Sequence, residues 1–480
     1  MRPPDIMPAT AAPTPDALFT LGNQHLAAQD YAAAAQCYQQ ALAYDPVCPE
    51  VLANLAYAKE QQQDFSAASQ YYHQALQHAD PQAHPSQQQI YINAGALLTR
   101  CKAFAAAENI YRDLLQQVPG SAAGWSNLGV LLAGLRRETE AEDAYRTALS
   151  LMPDYRTASF NLSYLLLRQE RWQEGWQRLE ARTSQDALAK TLPFARWQGE
   201  SLHGKRILIV FECGFGDMLQ FCRYARQLKQ LGVAQTGLLC HPPLKRLLQT
   251  LPDADAVYGY DETLPDELWD VWVPIFSLPH LCGTRRATIP AQVPYLSATP
   301  QAAAHWHVRL GQQPCRIGIA WQGNPQFETD QDRSLPGLSS LHSLLQQSGV
   351  QWVSLQKGPA AQQARDWQAT PLFCADQELH DFADTAALIS QLDLVISIDS
   401  AVLHLAGALG KPAFLLLPYY RQDWRWLASG QESPWYPTVR IFRQRQDGDW
   451  AGVIREVQQA LQEFLHRRAP QTRAAGHAAT

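Results

Sequence analysis

Apolar and small residues recur along the first third of the chain with helical spacing inside a longer period. One set is Leu18, Leu21, Gly22, Ala34, Tyr38 and Ala41, closed by Pro46. A looser copy runs Leu52, Leu55, Ala56, Ala68, Tyr72, Ala75, Pro81. The next two run Tyr91, Gly95, Ala107, Tyr111, Pro119 and Trp125, Leu128, Gly129, Ala141, Tyr145, Ala148, Pro153. A degenerate fifth unit spans 157–182 with Leu162, Leu166 and Leu179. Pro119 and Pro153 stand 34 positions apart. The pattern predicts helical hairpins stacked as a solenoid. Small residues are expected where the two helices of a hairpin cross, and the tyrosines are expected to fill space toward the next hairpin. Proline closes each unit because it cannot continue a helix.

That period is the tetratricopeptide one, and the array is assigned to residues 15–185. Such arrays present a concave groove that binds peptide or protein. Asn54, Asn93, Asn127 and Asn161 recur in the first helices of the hairpins. An asparagine there clamps a peptide backbone with donor and acceptor together, or is simply solvated or shared between repeats.

Beyond Arg182 the helical period fades, and 186–204 reads as a Trp- and Pro-bearing linker. Short apolar runs then alternate with helical stretches. They are 206–211, 237–240, 271–274, 316–321, 351–355, 394–398 and 413–417. This alternation predicts a parallel α/β architecture in two groups, 205–300 and 301–466, with a hinge near Thr299 to Ala304. The ends, 1–14 and 467–480, read as disordered tails.

Charge narrows the functional classes. The chain of 480 residues carries a net charge of −6, which argues against nucleic acid as a partner. The nine cysteines are scattered with no C-x-x-C pair. They read as reduced thiols of a cytoplasmic protein. No apolar run is long enough to span a membrane, and Met1 to Pro15 lacks a signal-peptide core.

The chemistry concentrates at strand ends. Glu212-Cys213-Gly214-Phe215-Gly216-Asp217 leaves the first strand and enters a helix, a turn whose N–H groups suit an anion. It is neither a dinucleotide fingerprint nor a P-loop. On position alone Asp217 is a helix cap or a general base. Asp399-Ser400-Ala401 opens a second helix ending at Gly410, with His404 one turn in. Ser400 and the first helical N–H groups are expected in the cleft, and His404 is either a satisfied core residue or a ligand contact. Trp321-Gln322-Gly323-Asn324-Pro325 leads to Arg333, and Ser354 to Lys357, including Gln356, ends another strand. Asp423-Trp424-Arg425-Trp426 begins an aromatic-rich stretch that serves as a core corner or a stacking platform.

Together, the Gly214–Asp217, Trp321–Pro325, Ile398–Gly410 and Asp423–Trp426 segments resemble bacterial tetratricopeptide proteins with a heptosyltransferase-like glycosyltransferase domain. The plan is also similar to that of the O-linked N-acetylglucosamine transferases. The resemblance implies an all-α repeat solenoid followed by a two-lobed GT-B unit. The lobe 205–300 would face the acceptor, and 301–466 would hold an ADP- or UDP-linked sugar. It implies Asp217 as the catalytic base of an inverting, metal-independent transfer. Gly214, Gly216, Gly323, Asn324, Arg333, Gln356, Lys357, Asp399, Ser400, Ala401 and His404 would lie around the donor. Ser400 keeps the family's hydroxyl; Ala401 replaces its glycine and adds a methyl. No cofactor and no metal are expected. The acceptor is expected to be a protein held by the repeats. A non-catalytic adaptor and a transferase acting on lipid-linked glycan remain the alternatives.

Overall fold

The computed structural model describes residues 13–265, 269–313, 315–327 and 329–468. Most of the two expected tails therefore lies outside the described residues. Thr14 caps the first helix through its hydroxyl, and the last helix, Trp450–Arg468, continues through residues 467 and 468. The chain forms two compact units, one ending at Asn161 and the other starting at Leu162.

The first unit is built of hairpins: α1 (Pro15–Ala27) with α2 (Tyr31–Leu42), and α3 (Pro49–Gln61) with α4 (Phe65–His78). They continue as α5 (Gln88–Arg100) with α6 (Phe104–Gln117), then α7 (Ala122–Gly134) with α8 (Glu138–Leu151). Each crossing is filled by a tyrosine of the same hairpin, and Tyr38 and Tyr72 also pack on the next hairpin as expected, against Val51 and Leu55 and against Ile90 and Ala94. A Cβ on Gly22 would meet the Tyr38 ring at 2.5 Å, one on Gly95 the Tyr111 ring at 2.5 Å, and one on Gly129 the Tyr145 ring at 2.7 Å. The glycine is the socket and the tyrosine the plug, which is why they recur sixteen residues apart. Each hairpin turns through one left-handed residue: Gln29, Gln63, Lys102 and Arg136, with φ between 58° and 63°. Glu170 (φ 64°) repeats this turn 34 residues after Arg136, between α9 (Arg156–Arg168) and α10 (Trp172–Leu179). The fifth hairpin is thus a true repeat in local geometry.

By packing, however, the chain from Leu162 onward belongs to the second unit, so the expected array boundary at 185 lies inside it. Trp176 lies 5.1 Å from Trp424 and 6.4 Å from Trp435, centroid to centroid. Arg182 is buried on Glu212, at 2.8 Å. A hairpin that buries two tryptophans against the α/β layers cannot separate from them without exposing that surface.

Two parallel sheets form the rest. The first runs β1 (Ala195–Arg196), β5 (Val271–Pro274), β2 (Arg206–Val210), β3 (Gln235–Cys240), β4 (Ala256–Gly259) in spatial order. The second runs β11 (Val439–Arg443), β10 (Ala413–Leu417), β9 (Leu394–Ile398), β6 (Arg316–Ala320), β7 (Gln351–Ser354), β8 (Leu372–Cys374). In each sheet the chain steps outward on one side of the first central strand and then returns to its other side. The reversal falls between β2 and β5 in one sheet and between β6 and β9 in the other. At such points the loops leaving adjacent strands diverge and open a crevice at the carboxyl edge. The turn after β2 carries Glu212 to Asp217, and the turns after β6 and β9 carry Trp321 to Pro325 and Asp399 to Ala401. Topology thus puts the sequence motifs at both crevices.

Candidate functional site

The helix α12 (Phe215–Phe221) packs on the helix Ala401–Ala408. Gly216 allows this, because a Cβ there would stand 2.8 Å from the His404 ring. Gly214 caps α12, and Asp217 at its third position reaches back to accept the Gly214 N–H at 2.9 Å. Its other oxygen takes Arg425. One oxygen of Asp217 thus serves as the expected cap, and the other faces a cation.

Arg425 organises the cleft. One terminal nitrogen binds Asp217, the second binds Asp423 at 2.8 Å, and Nε donates to Gln220 Oε1 at 2.6 Å. Its side chain is 6% exposed and lies over Trp424, with Phe221 and Phe276 also within 5.6 Å. Two carboxylates thus share one guanidinium, and Asp399 adds a third acid to the same field. Burial raises Asp217 above the usual carboxylate range; Arg425 opposes this and Asp423 adds to it. Asp399 is pushed up to about 6, first by burial and then by Asp423. The His404 ring nitrogen is 3.7 Å from Asp399, but burial and nearby Arg425 hold its pKa well below the ordinary value. It is neutral and makes no ion pair there. Its Nδ1 bonds the Tyr436 hydroxyl at 2.9 Å, and its ring stacks on Trp426 at 5.5 Å. His404 is thus a satisfied buried group that also faces the cleft.

One buried donor at this site, Gln220 Nε2, has no hydrogen-bond partner among the described residues. The Trp426 indole N–H is directed at Asp399 and favours its charged form. An unspent buried donor marks a place built to receive an acceptor atom.

Comparison with known proteins bears on both units. A family model for the tetratricopeptide repeat matches residues 19–84 and 103–154. One for glycosyltransferase family 9 (heptosyltransferase) matches residues 342–419. The chain joins tetratricopeptide repeats to a glycosyltransferase family 9 domain. The match takes in β7 through β10, with Gln356, Lys357, Asp399, Ser400, Ala401 and His404. Protein FlbA of Caulobacter vibrioides is 30% identical over 332 residues, 62% of this chain and 54% of that protein. The chain therefore spans about half the length of that relative. Among solved structures, PilF of Pseudomonas aeruginosa (19% identical, 36% of this chain and 80% of that one, TM-score 0.32) shows a weak likeness. So does MamA from Desulfovibrio magneticus RS-1 (16% identical, 38% and 99%, TM-score 0.30). Scores that low carry no argument about this chain.

The remaining candidates divide into groups. Gly323 is pressed between Asp330 and Arg333, where a Cβ would fall 2.8 Å from the guanidinium. Arg333 pairs with Asp330 at 3.1 Å and lies over Phe327, yet its charge is felt at Asp399 and His404. Arg333 thus joins Arg425 in the field around Asp399 and His404. Asn324 is exposed and closes a local turn on Gln326 N–H. Gln356 differs from expectation. Its amide is consumed by backbone, accepting from Trp321 and Gln322 and donating to Gln322 and Lys357, so it staples two strand ends together. Lys357 differs too: its ammonium donates to the carbonyls of Asp376 and Leu379. Ser400 shares its hydroxyl with Ser397 Oγ at 3.0 Å rather than capping the Ala401–Ala408 helix. Ala401 is the first residue of that helix.

In the repeats, Asn54, Asn93, Asn127 and Asn161 are all half-buried. Asn54 donates to Asn23 Oδ1, which also takes the Tyr38 hydroxyl. Asn93 accepts from Gln89, and Asn127 donates to the Ala123 carbonyl. Each of these three uses only part of its hydrogen-bonding capacity.

Sequence reading missed Arg425, Asp423 and Gln220 as site residues. The Asp-x-Arg spacing at 423–425 was the available signal, because a lone arginine among tryptophans must be paired to be buried. Tyr164 on α9 was also missed. It lies 6.4 Å from the Trp424 ring and feels the charges of Asp423, Arg425 and Asp217. Nothing local distinguishes it from any other half-exposed tyrosine.

Proposed function

We propose that the chain transfers a sugar from a nucleotide sugar to a hydroxyl of a protein held by the repeats, with Asp217 as general base. The observation that carries this is Asp217's setting: an acid raised by burial, at the first sheet's crevice, paired with Arg425, whose charge also reaches Asp399. A carboxylate whose pKa is lifted toward working pH is a stronger base than a solvated one.

In this reading the acceptor oxygen attacks the anomeric carbon while its proton passes to Asp217 Oδ1 or Oδ2. The bond from that carbon to the diphosphate oxygen breaks, and the nucleoside diphosphate leaves with the electron pair. In-line attack inverts the anomeric centre. The N-terminus of the Ala401–Ala408 helix and Arg333 take the developing charge, so the step invokes no metal. Gln220 Nε2 supplies a further donor. Asp399, at about 6, takes up a proton readily when a diphosphate arrives, which limits repulsion. We place the reaction in the cytoplasm, consistent with nine unpaired cysteines. Among the described residues no helix is long and apolar enough to cross a membrane.

The test is release of nucleoside diphosphate from a panel of ADP-, UDP-, GDP- and CMP-linked sugars, with CMP counted for the last. Asp217→Asn is expected to cut turnover by ~10²–10⁴-fold while nucleotide binding, read by thermal shift, is kept. Turnover surviving within about threefold would remove Asp217 from the base role. A mass increment of one sugar on a co-expressed protein supports the protein acceptor; an increment only on lipid-linked glycan rejects it.

A further inference from the structure

A second cluster stands on the carboxyl edge of the first sheet, beside the Asp217 turn. Phe211 follows β2, His241 follows β3 and Tyr260 follows β4, so three adjacent strands each end in an aromatic ring. Ring centroids lie 4.5 Å apart for Phe211 and His241, 5.4 Å for Phe211 and Tyr260, and 5.7 Å for His241 and Tyr260. Phe215 closes the group from α12, edge-on to His241 at 5.1 Å, and also meets Phe382 of the second lobe at 5.1 Å. Tyr260 is 55% exposed and Phe215 37% exposed. The His241 Nδ1 atom is buried and has no hydrogen-bond partner among the described residues. Burial lowers the pKa of that imidazole, so it is a neutral hydrogen-bonding group. The corner therefore holds unspent apolar surface and one unspent hydrogen bond.

We propose that this aromatic corner is a subsite for an apolar side chain of a polypeptide acceptor, with His241 Nδ1 bonding the backbone beside it. The inference rests on the transfer reading above and names what its acceptor must carry near the modified hydroxyl. Phe215 opens the helix that carries Asp217, so the corner and the proposed base share one helix N-terminus. Lys245 and Arg246, the cations behind it, are paired with Glu262 and Asp381 and do not draw an anionic ligand. The ring planes are mutually tilted, by 59° for Phe211 and His241 and 80° for His241 and Tyr260. A sugar ring stacks on one flat face, whereas tilted rings form a socket for a bulky side chain. Burying such a side chain is worth roughly ten- to hundredfold in affinity.

The test uses the full chain and fluorescein-labelled, alanine-based peptides with one serine, varied two residues away to Phe, Leu, Ala or Lys. Anisotropy titration is expected to show the Phe and Leu peptides binding about ten- to hundredfold tighter than the Ala and Lys peptides. Tyr260→Ala is expected to bring all four within about twofold, and Tyr260→Phe to keep the preference. An equal preference in Tyr260→Ala, no preference in the wild type, or displacement of the Phe peptide by a neutral disaccharide overturns the proposal. Binding is read without turnover. If the wild type releases no nucleotide from any sugar, the transfer reading fails separately, and the corner still stands or falls on these titrations.

Discussion

The repeat unit and the two-sheet unit are held by opposite kinds of contact. In the repeats a glycine meets a tyrosine sixteen residues on, and the same pair recurs hairpin after hairpin. In the two-sheet unit the decisive contacts join distant positions: Asp217 with Arg425, Gly216 with His404, Trp176 with Trp424. Local repetition makes the first unit tolerant of single losses and legible one period at a time. Long-range convergence makes the second unit a place where one side chain can fail everything around it. The fifth hairpin shows the two modes in one element. Its turn is a repeat turn, but its tryptophans are spent on the sheet unit.

The comparison is broken most sharply at that hairpin. A chain starting at residue 156 is expected to fold and, if the transfer reading holds, to keep donor hydrolysis. A chain starting at 186 loses Trp172, Trp176 and Arg182, and is expected to be insoluble or unfolded by circular dichroism. A soluble, cooperatively melting 186–480 chain would make the hairpin dispensable.

Next in size is Arg425→Met. It leaves Asp217 and Asp423 as acids without their shared cation, and should cost about 3–5 kcal/mol in a denaturant melt, with loss of nucleotide release. A melt unchanged within about 1 kcal/mol would show that water, not Arg425, satisfies those acids.

Asp399→Asn sharpens the electrostatic side. The folded-state pKa of Asp399, about 6, lies above its ordinary 3.8, so folding favours the neutral form. Its contribution is favourable at low pH and is lost as pH rises from about 4 to about 6. The asparagine variant should therefore gain up to about 3 kcal/mol at pH 7 and flatten the stability profile across that window. A profile that keeps its wild-type slope would place the titration elsewhere.

The smallest effect belongs to the repeats. Gly129→Val drives a side chain into the Tyr145 ring and should cost about 1–3 kcal/mol in the melt, without changing nucleotide release. Ala56, which occupies the same slot opposite Tyr72, implies that one methyl alone is accommodated.

The strands teach why sequence reading succeeded where it did. All seven segments expected as strands form strands: β2, β3, β5, β6, β7, β9 and β10. These are the interior strands of the two sheets. The four that went unread, β1, β4, β8 and β11, are the four sheet edges. An interior strand of a parallel sheet is covered on both faces and reads as an unbroken apolar run. An edge strand is short and part-exposed, as in β1 and β8, and leaves no such run.

The same distinction governs the site. Sequence alone determined the repeat period, the interior strands and the turns carrying Gly214 to Asp217 and Asp399 to His404, because each depends on neighbours within one turn or one period. Only the tertiary structure decided that Arg425 binds Asp217 across 208 positions of chain. Only it showed that Gln356 and Lys357 are spent on backbone, and that rings from three strands make a corner at the start of the Asp217 helix. Those outcomes depend on which strand ends converge, and convergence is a property of sheet order that no local pattern encodes.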